Sequence, residues 1–312
     1  MIQVENLTKR YGARLAVNNL TFTANKGEIV GFLGPNGAGK TTTMRMLTGY
    51  MPASSGTAIV AGYDVFTQSL EARRRVGYLP ESVPLYTDMS VWQYLDFMGE
   101  LRGVQNREDK IEEVLDKVHL LERADSIIGK LSKGMRQRVG LAQAILHDPE
   151  VIILDEPTIG LDPNQVRDVR SVIQELGENR TVLFSTHILS EAQAICNRIL
   201  IIDRGQIVAE DTTENLQMRF MGGQQLLLKV RGEFDTLAAL LAQVPGVTGT
   251  AELNGVVTVT TLPGTDVRAE IARTVVENKF DLLEMRSRDV SLEEIYVQLL
   301  SDEHAATAAK EG

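Results

Sequence analysis

Residues 34–41 read Gly34-Pro35-Asn36-Gly37-Ala38-Gly39-Lys40-Thr41, and their reading decides the fold. They follow a short apolar run, Glu28-Ile29-Val30-Gly31-Phe32-Leu33, that has the character of a buried strand. Thr42 and the residues after it suit a helix. Between strand and helix, glycines let the backbone wrap a phosphate with successive N–H groups turned inward. The start of the helix adds partial positive charge. In this pattern Lys40 reaches the β- and γ-phosphates and the Thr41 hydroxyl takes Mg²⁺, while the loop from Gly34 to Thr42 cradles the nucleotide. Average residue frequencies put a chance occurrence in a chain of this length at about 1%.

A second stretch supports the first. Val151-Ile152-Ile153-Leu154 is a continuous apolar strand that runs directly into Asp155-Glu156-Pro157. Asp155 then stands at the carboxyl edge of a sheet, where phosphate and metal gather in open α/β architectures. It is expected to hold Mg²⁺, and Glu156 is expected to polarise the water that attacks the γ-phosphate.

Working outward, Thr181-Val182-Leu183-Phe184 is a further apolar strand, and helical patterns separate these strands. The alternation predicts a mostly parallel sheet buried on both faces. Residues 84–130 show no strand pattern. Leu95, Met98 and Leu101, then Ile111, Val114, Leu115 and Val118, recur at helical spacing, so a helical subdomain over about 83–145 is expected inside the sheet order. Cys196 is expected as a small buried hydrophobe in a helix. The pattern changes near Met221-Gly222-Gly223. Beyond it the reading is a strand at 226–229, a helix at 235–243, strands at 247–253 and 256–262 joined by Asn254-Gly255, a helix at 266–278 and a strand at 282–286. That β-α-β-β-α-β order is ferredoxin-like. Ser291 and Glu294 would open a last helix as a capping box. The expected division is 1–220, 221–302 and a frayed tail at 303–312.

The chain has 312 residues, 42 acidic against 32 basic, with a formal charge of −10. That balance argues against a dedicated nucleic-acid binder, and none is expected as a partner. One cysteine precludes an internal disulfide and fits a reducing compartment. No stretch approaches the roughly 18 apolar residues of a spanning helix, and the N-terminus lacks a secretory core. A cytoplasmic location is therefore expected, with any work at a membrane done through a partner.

Further residues, in order, carry a family resemblance. Leu131-Ser132-Lys133-Gly134-Met135, followed by Arg136-Gln137-Arg138, resembles the signature motif of ABC-type ATPases and precedes the Asp155-Glu156 strand as that family requires. Gly160-Leu161-Asp162 resembles the D-loop, His187 the switch histidine, and Tyr11 the adenine-stacking aromatic. The closest flavour is the ATP-binding subunit of ABC type 2 exporters, of the drug-resistance and gliding-motility kind. The implied fold is an α/β P-loop nucleotide-binding domain of ABC type with an inserted helical subdomain, plus a small α+β ferredoxin-like C-terminal domain.

The resemblance implies a head-to-tail dimer, a homodimer or paired ATPase subunits, around two ATP with Mg²⁺. Ser132 and Gly134 would meet the γ-phosphate of the facing chain, and Asp162 would shape the seam. His187 would sense the γ-phosphate or Glu156. Separate integral membrane subunits would dock on the exposed face of the helical insertion and the Glu81 loop. The chain would thus lie on the cytoplasmic face of the cell membrane. Lys133 and Met135 depart from the consensus signature, and Glu81 stands where the family usually has glutamine, keeping an oxygen for Mg²⁺ but adding charge. Two other readings compete. One is a soluble ABC-type ATPase working on ribosomes or nucleic acid, disfavoured by the single module and acidic balance. The other is a sensor with a vestigial ATPase, disfavoured by the intact Lys40, Asp155, Glu156 and His187.

Overall fold

The computed structural model describes residues 1–212, 215, 225–231, 234–253, 255–262 and 265–288. Two compact units emerge, Met1–Thr212 and Thr213–Gly312. In the first, the apolar runs become strands buried along their whole length: β3 (Ile29–Leu33), β7 (Val151–Asp155) and β8 (Thr181–Thr186). With β6 (Val76–Leu79), β9 (Arg198–Asp203) and β10 (Gln206–Asp211) they form a six-stranded sheet in the order β10-β9-β3-β8-β7-β6. All neighbours are parallel except the β9–β10 hairpin at the edge. Strands that are apolar without alternation need cover on both faces, and parallel connections supply the helices that give it.

The expectation of a mostly parallel sheet is incomplete. A second, antiparallel sheet in the order β2-β1-β4-β5 is built from β1 (Ile2–Tyr11), β2 (Arg14–Ala24), β4 (Ser55–Val60) and β5 (Tyr63–Asp64). Its signature was a period of two: Leu20, Phe22 and Ala24 are buried while Thr21 and Thr23 are exposed. The buried side of this sheet faces the parallel one. Helix α1 (Lys40–Leu47) contributes Met44, Met46 and Leu47 to the core between them. A short α2 (Ser69–Arg74) leads into β6.

The helical insertion comprises α3 (Val91–Arg102), α4 (Arg107–Lys117) and α5 (Lys133–Ile145). Ser90 and Gln93 make a reciprocal capping box at the start of α3, and Gly103 ends it in a left-handed conformation. Ile111, Val114, Leu115 and Val118 are buried as their spacing predicts. Leu101 is not: it is 66% exposed, because the buried stripe of α3 runs through Val91, Tyr94, Leu95 and Gly99. Beyond β7, α6 (Pro163–Gly177) and α7 (Leu189–Ile195) complete the unit. Cys196 is buried as expected but caps the end of α7 in an extended conformation rather than lying within it. Burial pushes its thiol pKa well up, which makes it inert.

The second unit follows the order β11 (Gln225–Arg231), α8 (Phe234–Leu241), β12 (Val247–Leu253), β13 (Val256–Thr261), α9 (Arg268–Glu277) and β14 (Asp281–Arg288). Its antiparallel sheet runs β12-β13-β11-β14, the ferredoxin-like arrangement. Leu226, Leu228, Val257 and Val259 pack against Leu237, Leu241, Ile271 and Val275. The junction at 221–223, Asn254, the capping box at Ser291 and Glu294, and the tail at 303–312 fall outside the described residues.

The two kinds of α3–α4 position separate by mutation. Ile111→Ala should cost about 2–5 kcal/mol in denaturant unfolding, and Leu101→Ala no more than about 0.5 kcal/mol. Equal losses would contradict the stripe assigned to α3.

Candidate nucleotide site

Strand order brings the chemistry together. Because β8 lies between β3 and β7, the loops leaving the carboxyl ends of all three emerge side by side. The first is the phosphate loop. Gly39 closes it at φ +109°, where an added Cβ would lie 2.7 Å from the Ala16 carbonyl oxygen, so only glycine fits. No side chain caps α1, which leaves the first-turn N–H groups free for an anion.

Lys40, at the start of α1, is buried and folds back over the loop. Its Nζ donates to the carbonyl oxygens of Gly34 at 2.7 Å and Pro35 at 3.2 Å, and lies 3.4 Å from Glu156 Oε1. The other carboxylate oxygen of Glu156 is 2.8 Å from His187 Nδ1. Glu156 itself sits at φ +50°, a conformation that costs a non-glycine residue of order 1 kcal/mol. Ser185 helps hold it there. The Ser185 hydroxyl accepts the Glu156 N–H at 3.0 Å and donates to Asp155 Oδ1 at 2.7 Å.

Asp155 is fully buried. Burial raises its carboxyl pKa above the usual range. The Ser185 and Thr41 hydroxyls oppose the rise, and the charges of Glu156 and Glu81 add to it. Its Oδ2 is buried without a hydrogen-bond partner.

A cavity of about 380 Å³ opens over these groups. Tyr11, Asn36, Gly37, Gly39, Lys40, Thr41, Thr42, Glu81 and Glu156 line it. Gly34 and Pro35 take part through the carbonyls that hold Lys40, and Ala38 is buried within the loop. Tyr11 stands 46% exposed at the rim, its hydroxyl 3.0 Å from Met51 Sδ and its ring 5.4 Å from Lys9 Nζ. His187 reaches the cavity through Glu156.

Four residues escaped the sequence reading. Arg14, Ala16 and Ile159 also line the cavity, and Ser185 bridges the two acidic residues. The guanidinium of Arg14 stands over Gly37, which places a cation beside the phosphate loop. Its only sequence signal was its position three residues after Tyr11.

Ser132, Gly134 and Asp162 lie apart from the cavity of their own chain. Ser132 caps α5, accepting the Met135 N–H at 3.2 Å. Asp162 caps α6, accepting the N–H groups of Asn164 and Gln165, each at 3.1 Å. Gly134 is buried against Gln165, and Lys133 crosses Gly160.

A phosphate loop opening a helix, two carboxylates at the end of a nearby strand and a histidine after the strand between them define a P-loop nucleotide hydrolase. Comparison with known proteins narrows the class. The ABC transporter family profile matches residues 17–159. The linearmycin resistance ATP-binding protein LnrL of Bacillus subtilis (strain 168) is 33% identical over 305 residues, covering 96% of this chain and 98% of that protein. The bacitracin transport ATP-binding protein BcrA of Bacillus licheniformis is 34% identical over 304 residues, covering 96% and 97%. A bacterial ABC transporter cassette solved as a dimer superposes with a TM-score of 0.63 at 25% identity, over 68% of this chain and 98% of that one. The chain belongs to the family of ABC transporter ATP-binding proteins.

A buried carboxylate with one unpartnered oxygen is a local cost to the nucleotide-free fold. Asp155→Asn should therefore raise the thermal midpoint of the nucleotide-free chain, by the equivalent of about 1 kcal/mol. A midpoint unchanged or lowered in calorimetry would show that Asp155 is better compensated than its contacts indicate.

Proposed function

We propose that this chain is the ATP-hydrolysing subunit of a membrane exporter, working as a dimer that closes on two ATP and reopens after hydrolysis. The observation that carries the proposal is the unbroken contact chain Lys40–Glu156–His187, made by the ends of three adjacent strands at the floor of one cavity.

The roles follow from chemistry and position. The loop N–H groups and Lys40 bind the phosphates. Lys40 leaves its carbonyl and carboxylate partners to do so, because a phosphate is a stronger acceptor for its ammonium. That departure frees Glu156 to accept a proton from water, with His187 holding the carboxylate at Oε2. Tyr11 offers a ring at the rim for the adenine. Thr41, Asp155 and Glu81 are the residues that would hold Mg²⁺. The buried, unpartnered Oδ2 of Asp155 suits a hard cation that prefers oxygen ligands. When bound, the ion offsets charge on the phosphate oxygens. Ser132, Gly134 and Asp162, exposed or at helix starts away from their own cavity, would serve the nucleotide of the facing subunit.

No described helix is long and apolar enough to cross a membrane. We therefore assign membrane passage to separate integral subunits, with this chain on their cytoplasmic face. The docking surface would be the outer face of the helical insertion. A groove of about 760 Å³ beside it is bordered by Tyr50, Leu70, Arg73, Leu101 and Arg102. Tyr78 also lines that groove, while Glu81, three residues later, lines the nucleotide cavity. One short segment thus touches both. The names of the relatives LnrL and BcrA, linearmycin resistance and bacitracin transport, favour export of a small antimicrobial compound.

Two experiments test this reading. Glu156→Gln should trap an ATP-bound dimer in size-exclusion chromatography while hydrolysis falls by at least about a hundredfold. Hydrolysis at the wild-type rate would contradict the role of Glu156. Affinity purification from detergent-solubilised membranes should recover a stoichiometric multi-span protein. Recovery from the soluble fraction, alone or with ribosomes, would keep the ATPase and overturn the transport role. Separately, Glu81→Gln should shift the Mg²⁺ dependence of hydrolysis, and superimposable titrations would remove Glu81 from the metal site.

A further inference from the structure

Glu191 lies in the first turn of α7 and outside the nucleotide cavity, yet it is only 3% exposed. An acid in a first turn ordinarily stays in water and gains from the helix dipole. A carboxylate removed from water must be repaid by hydrogen bonds and charge, and the partners here are specific. Its Oε2 accepts the Thr158 hydroxyl at 2.7 Å and the Thr186 hydroxyl at 2.9 Å. Arg170 Nη2, on α6, lies 3.9 Å from Oε1. Thr158 is two residues beyond Glu156, and Thr186 immediately precedes His187. One buried oxygen therefore ties the loop after β7 to the last residue of β8, immediately before His187.

We propose that Glu191 is a positioning residue for ATP hydrolysis, clamping these two segments so that His187 stays in contact with Glu156. The inference rests on the roles given above to Glu156 and His187. Without the clamp, the Ser185 hydroxyl still ties β8 to the Glu156 backbone, but the His187 side chain is left with the 2.8 Å bond to Glu156 itself. His187 is half exposed by its side chain at 37%, so water competes for that bond. A carboxylate suits the task because both of its oxygens accept: one takes two hydroxyls, the other faces a guanidinium. Glutamine has the same shape but one acceptor, so it must turn an amide N–H toward either the hydroxyls or Arg170. The clamp weakens while the packing volume is kept.

The test uses the full chain as wild type, Glu191→Gln, His187→Ala and the double variant, with kcat and KM for Mg-ATP and thermal midpoints. Histidine-labelled NMR of the nucleotide-free protein is the second readout, the His187 signal being the one lost in His187→Ala. Glu191→Gln should lower kcat about tenfold or more with KM within about twofold, and should move the His187 ring resonances. On the His187→Ala background it should cause no further loss, since a clamp acting through His187 has nothing left to position. Thr158→Val and Thr186→Val, each removing one hydroxyl, should move the same resonances and stand in if Glu191→Gln does not fold. Equal fractional losses on both backgrounds would overturn the clamp, as would unmoved His187 resonances in these variants. If His187→Ala retains full kcat, both the clamp and the role given to His187 fall. A wild-type chain that hydrolyses no ATP sinks the ATPase reading alone, and the NMR result then decides whether Glu191 positions His187.

Discussion

The ATP-binding unit depends on one constraint: β7 is buried on both faces and ends in two carboxylates. Asp155 and Glu156 cannot retreat to water, being 0% and 5% exposed, because the strand that carries them is fixed between β6 and β8. Each needs compensation from a neighbouring strand. Ser185, at the corresponding level of β8, serves Asp155 and the Glu156 N–H. His187, two residues on, takes one oxygen of Glu156, and Lys40, after β3, takes the other. The parallel register makes this possible, since Asp155 pairs with Ser185 and Leu33 with Thr186. The carboxyl ends of the three strands are level, so their loops share one floor.

That arrangement stores a readiness to exchange partners. Lys40 is held by two carbonyls and a carboxylate, and Asp155 Oδ2 is buried without a hydrogen-bond partner. Both are imperfect solutions for a fold alone. On the proposed reading a triphosphate with its cation would improve each, which would couple binding energy and local stability at the same atoms. The glycine at position 39 is part of the same economy: it permits the backbone to turn its N–H groups inward at a place where a Cβ would strike Ala16.

How much of this could be read from residues alone varies with the physical signal. Buried strands of the parallel sheet carry continuous apolar runs, and the phosphate loop is a pattern of residue types at fixed spacing, so both were visible. The ferredoxin-like unit was visible too, through alternating strands and helical periodicity. The antiparallel sheet was missed because a clean alternation survives only over Leu20–Ala24; elsewhere β1 and β2 pair with register shifts that break it. Leu101 misled because helical spacing identifies a stripe without saying where the stripe ends. Arg14 and Ser185 were out of reach for a different reason. Their importance comes from strand order, and nothing local distinguishes them from other arginines and serines.

The signature segment shows what a single chain cannot supply. Ser132 and Asp162 each satisfy a helix start, which fully accounts for their hydrogen bonds within the chain. Yet helix caps do not require Gly134 to be crowded by Gln165, nor Lys133 to lie across Gly160. Gln165 and Lys133 are long, flexible side chains, and they occupy the ground beside the first turn of α5. A facing γ-phosphate could reach the Ser132 hydroxyl and the N–H groups of α5 only after such side chains swing aside. Swinging aside costs little for an exposed lysine and replaces its contact with an anion that attracts it. Lys133, which looks like a defect in the signature when read as a string, becomes in three dimensions an exposed cation next to the place where, on the proposed reading, a phosphate would enter.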